Sequence, residues 1–96
     1  MSQSQQALSQ ARQALLNAQQ NPEGSKAELS ETAQKLAQCM NAQGEIHADM
    51  LRDVYNAVHQ ALNASEQPAN EEALQNSFVE AIRACEQAEV TYQNER

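Results

Sequence analysis

Glycine, basic charge and long apolar runs are all scarce in this chain, and each scarcity removes a class of function. The two glycines, Gly24 and Gly44, stand too far apart in 96 residues to build a glycine-rich phosphate loop. Six basic side chains face thirteen acidic ones, a formal net charge of −7 with no Lys/Arg cluster. Attraction to nucleic-acid phosphates or to an anionic membrane surface is therefore opposed over most of the surface. The longest apolar run, as at Ala14-Leu15-Leu16, is three residues, which cannot span a bilayer. The opening Met-Ser-Gln-Ser-Gln-Gln has neither a basic region nor an apolar stretch of signal-peptide type, so a cytoplasmic protein is expected.

What is present is alanine and glutamine, 17 and 15 residues, a third of the chain. Leu, Ile, Val and Phe amount to only 15 of 96, below the roughly 20% under which a charged chain is suspected of disorder. Periodicity argues the other way. Leu8, Ala11, Leu15 and Ala18 form one narrow stripe at helical spacing, and Leu29, Ala33, Leu36 and Met40 form a second. Met50, Val54, Ala57, Val58 and Ala61 make a third stripe with Leu51 and Leu62 at its flank. Leu74, Phe78, Ala81, Ile82, Cys85, Ala88 and Tyr92 make a fourth. No alternating β-branched run supports a strand.

Turn and cap signals separate these stripes. Asn21-Pro22-Glu23-Gly24 is the clearest break, Gly44 is a candidate left-handed cap, and residues 63–70 form the longest connector. Ser25 and Glu28 fit a capping box, Asn70 can cap the last helix, and Glu31 and Lys35 are a favourable i,i+4 pair. The expectation is a single all-α domain, an antiparallel up-down four-helix bundle with helices over roughly 4–20, 26–43, 45–63 and 71–93. Its core should be marginal, because alanine contributes little burial energy, and a homodimer or a docked partner would relieve the shortage.

Few residues invite chemistry. Cys39 and Cys85 fall at nearly equal depth on the second and fourth helices, which are diagonal in such a bundle. That separation exceeds the roughly 7 Å a disulfide tolerates, so buried free thiols are expected. His47 and His59, about 120° and roughly 18 Å apart on one helix, cannot share a metal ion. A di-metal bundle would want Glu-x-x-His pairs on facing helices, and none occurs. The run Gly44 to Leu51 superficially resembles the Asp-Ser-Leu prosthetic-group site of acyl carrier proteins. Met50 stands where the carrier's modified serine belongs, so no phosphopantetheine can attach, and the likeness is read as chance. No catalytic residue, metal site or cofactor is expected.

The remaining signals point to binding. Glu45, Asp49 and Asp53 recur at i, i+4 and i+8, a row of like charge that destabilises a helix by about 0.2–0.5 kcal/mol per pair. A negative face for a basic protein partner would account for it, and the acids of residues 66–96, Glu86 among them, extend it. Val79 and Val90 lie off the fourth stripe on one side, while Leu16 and Tyr55 sit at the edges of theirs. Together with Leu8 and Leu15 on the narrow first stripe, these are the candidate partner-binding residues. The first helix is expected to be the most exchangeable element. The sequence thus suggests a small acidic interaction module (adaptor, small chaperone or inhibitor) rather than an enzyme. The alternative is an acidic mimic of nucleic acid that blocks a basic phosphate-binding channel.

Overall fold

The computed structural model describes residues 3–21, 24–66 and 71–94, and they form an up-down bundle of four helices. The helices are α1 (Gln3–Gln20), α2 (Lys26–Met40), α3 (Ala48–Glu66) and α4 (Glu71–Gln93). Each packs on its neighbours in chain order, and α4 closes the square against α1. The radius of gyration is 12.8 Å, close to the roughly 12.5 Å expected of a folded chain of this length.

The stripes become the core. Leu8, Leu15, Leu29, Leu36, Leu51, Val54, Val58, Phe78 and Cys85 are fully buried. Between them lie Ala11, Ala14, Ala18, Ala61 and Ala81, none of which reaches solvent. Alanine lets backbones approach closely, so few large side chains suffice to close the interior. The core is complete within one chain, and association with a second chain would use outer surface only. α1 is docked along its whole length, from Ser4 to Ala18. Exchanging it, as its narrow stripe suggested, would open that core.

Several local expectations are revised. The α3 stripe is rotated: Leu51 is buried at its centre, while Met50, Ala57 and Leu62 are only partly buried. Ser25 makes no side-chain capping bond; it is buried, and its carbonyl accepts the Leu29 N–H at 2.9 Å. Its backbone, at φ −105° and ψ 2°, is outside the β region from which a capping hydroxyl reaches inward. Asn21 closes the α1–α2 turn instead, its Oδ1 accepting the Gly24 N–H at 3.2 Å. Pro22 and Asn70 lie outside the described residues.

The α2–α3 connection is longer than the stripes implied. Asn41 and Ala42 donate backbone N–H groups to Ala37 and Cys39 and end α2 at Met40. The Glu45 N–H then bonds the Ala42 carbonyl at 3.2 Å across Gly44, whose φ of +86° is left-handed. Gly44 therefore makes this turn rather than capping the helix directly. Farther on, α3 runs through Asn63 to Glu66, with Ser65 Oγ folded back onto the Ala61 carbonyl at 3.0 Å.

Candidate functional site

The delayed start of α3 decides where Glu45 goes. It precedes the helix, at the bundle end shared by the α1 start and the α4 end, and so is not part of a helical acidic row. Ser4 Oγ donates to one of its carboxylate oxygens, and the His47 N–H donates to the other at 2.9 Å. The His47 ring meets Tyr92 edge-on, with centroids 5.1 Å apart. Partial burial pushes the Glu45 carboxyl up. Hydrogen bonds from the Ser4 hydroxyl and the His47 backbone N–H, reinforced by the nearby Tyr92 and His47 side chains, outweigh this and hold it below its ordinary value. The cluster ties three elements together. It is a structural clasp, and its carboxylate is already committed to internal donors.

Asp49 and Asp53 remain exposed, one turn apart on α3, and Glu86 is exposed on α4. Leu8 and Leu15 have no accessible surface at all and belong to the core, with nothing to offer a partner while α1 stays docked. Tyr55 is half-buried, its ring 5.9 Å from that of His59, which is exposed.

The apolar candidates off the stripes do reach the surface: Leu16 is 37% exposed, Val79 38% and Val90 52%. Two contacts set the α1–α4 register. Gln75 Nε2 donates to the Gln19 carbonyl at 3.5 Å, and Arg12 Nε donates to Glu89 Oε1 at 2.8 Å. In that register Leu16 lies about level with Val79, on the α4-facing edge of α1. Leu16, Val79 and Val90 therefore share one outer face, with Glu86 among them. The hydrogen bond and charge of Glu89 raise the Arg12 pKa further above its ordinary value.

Ile46, not among the candidates drawn from the sequence, is the most exposed large apolar side chain among the described residues, at 78%. The signal for it is an isoleucine directly after the Gly44-Glu45 turn, which an α3 starting at 45 places inside the helix and the observed start at Ala48 leaves on the turn.

Both cysteines are buried free thiols. Burial pushes the Cys85 thiol up to about 12, the nearby Glu89 adding to the effect and Arg12 opposing it. A thiol held protonated in this way is a packing group, not a nucleophile. Among the described residues no three His, Cys, Asp or Glu side chains converge on a place for a metal ion. Clefts of about 220 Å³ beside Gln6, Gln10, Lys35 and Cys39, and of about 200 Å³ beside Met50, Asp53 and Gln87, fall short of the ~300–1,000 Å³ typical of ligand pockets. Among the described residues no helix is long and apolar enough to cross a membrane. No protein family, curated protein or solved structure matches the chain.

Proposed function

We propose that this protein is a small acidic interaction module, an adaptor, small chaperone or inhibitor that docks a helix face onto a protein partner bearing a basic patch. The observation that carries this reading is the shared outer face of α1 and α4. Leu16, Val79 and Val90 keep apolar surface there, although the chain has few large apolar side chains to build its core and much of its remaining sequence is glutamine and acid. Apolar anchors would supply the affinity, and exposed carboxylates such as Glu86, Asp49 and Asp53 would speed and orient approach to a basic partner. Two free thiols fit a reducing, cytoplasmic setting.

Affinity capture from native host extract, with the wild type beside the L16S/V79S/V90S variant, tests this reading. The wild type should retain a partner that the variant loses, and raising salt to about 0.5 M should weaken capture only in part, because apolar burial is not screened. Equal capture by both proteins would overturn it. The acidic-mimic reading draws less support, because Glu45 is withdrawn into the bundle-end clasp and the supposed row of three carboxylates shrinks to two. It would be recognised by near-complete loss of binding over the same salt range.

A further inference from the structure

The outward side of α4 carries a second periodicity, unrelated to the core. Glu72, Asn76, Val79, Arg83, Glu86, Val90 and Gln93 follow one another at alternating steps of four and three, and all seven are exposed. Steps of four and three are the spacing of a coiled-coil seam, which keeps one line of side chains facing a neighbouring helix. Val79 and Val90 are the apolar members of this line. Arg83, the one basic residue in Glu71–Gln93, sits between them beside Glu86.

From Asn76 to Gln93 the seam is self-complementary when reversed: amide meets amide, valine meets valine, and Arg83 meets Glu86. We propose that the outer face of α4 pairs with the same face of a second copy of this chain, antiparallel about a two-fold axis level with Ala84 and Cys85. That register sets Val79 against Val90 of the second copy, Arg83 against Glu86 of the second copy and Asn76 against Gln93 of the second copy. By symmetry each contact occurs twice, as an isologous interface requires. Competing arrangements fail on the same residues. A parallel pairing sets Arg83 against Arg83 and Glu86 against Glu86. Sliding the antiparallel pair by one heptad sets Val79 against Arg83 in one direction and Glu86 against Val90 in the other.

Exposed ion pairs contribute little affinity, so the two Arg–Glu contacts set register and orientation more than binding strength. The valines, with Leu16 flanking them, provide the apolar burial. The seam is narrow, which places the pair at the small, reversible end of protein interfaces. This inference rests on the reading of Val79, Glu86 and Val90 as an interaction face and names a second copy as its occupant.

Charge reversal tests it. In sedimentation equilibrium of the full chain from about 10 µM to about 1 mM, the range in which weak association is resolved, the wild-type mass should climb from 10.6 kDa towards twice that value. R83E and E86R alone should each stay near the monomer mass, their association weakened at least about tenfold by facing like charges. An equimolar mixture of the two variants should recover the dimer, because each altered side chain then faces its opposite across the seam. Circular dichroism should show unchanged helicity, since both positions are exposed. A wild type that stays monomeric throughout overturns the self-pairing, and so do variants that associate like the wild type or a mixture no better than either alone. The capture experiment with L16S/V79S/V90S stands or falls separately, because its readout is a different protein.

Discussion

Gly44 holds φ +86°, and a Cβ there would meet open space, so only backbone conformation opposes a side chain. Gly44→Ala should therefore destabilise the protein by about 1 kcal/mol, seen as a lower denaturation midpoint with an unchanged denaturant slope. Glu45 beside it has a pKa lowered from 4.5 in the folded state. A depressed carboxyl contributes stability that is fully present above its unfolded pKa and is lost as pH falls through the folded one. Acid titration of stability should lose part of its slope below about pH 4.5 in Glu45→Gln, which should also be about 1 kcal/mol less stable at pH 7. An identical pH profile for both proteins would remove the clasp from the account. Cys85, buried and raised to about 12, should resist a thiol-specific reagent at pH 8 in the native protein and react fully after denaturation. Rapid native labelling would show that the interior opens readily.

At the scale of helices, α1 shows how an alanine-rich segment can be a full member of a core. Ala7, Ala11, Ala14 and Ala18 bury nearly all their surface beside Leu8 and Leu15, so the helix axis lies close to its neighbours. Ala14→Leu adds apolar area yet has no space to enter. It should lower stability by about 1–3 kcal/mol in a denaturant titration, against the direction that composition alone suggests. Stabilisation by that substitution would mean the seam is loose. The same helix explains why its stripe was legible. Leu8, Ala11, Leu15 and Ala18 recur at the helical period, and burial followed that period without exception. The α3 start was not legible in this way, because Glu45, Ile46 and His47 continue the apparent pattern of the helix. The left-handed turn at Gly44 holds those residues outside it, and Glu45 is fastened there by Ser4 and by the His47 N–H. Asp49 and Asp53 kept their predicted exposure because one turn of one helix is local geometry. Glu45 lost it because its partner is 41 residues away.

For the molecule as a whole, a charge of −7 opposes compaction, and among the described residues the Arg12–Glu89 and Lys35–Glu31 ion pairs offset it at two positions. Raising salt from about 10 to about 150 mM shortens the screening length from roughly 30 to 8 Å and should raise the melting temperature by a few degrees. A fall would mean that attractive pairs outweigh the net repulsion. Amino-acid order alone determined that four helices form, which side of each is apolar, and that the thiols on α2 and α4 stay apart, because these follow from a period of 3.6 residues and from chain connectivity. Only the closed bundle decided which borderline side chains are covered. Leu16, Val79 and Val90 stay outside, Leu51 displaces Met50 from the centre, and Ile46 stands on a turn. Those outcomes depend on how far neighbouring backbones approach one another, a distance set by the alanines of every helix at once and by no local spacing.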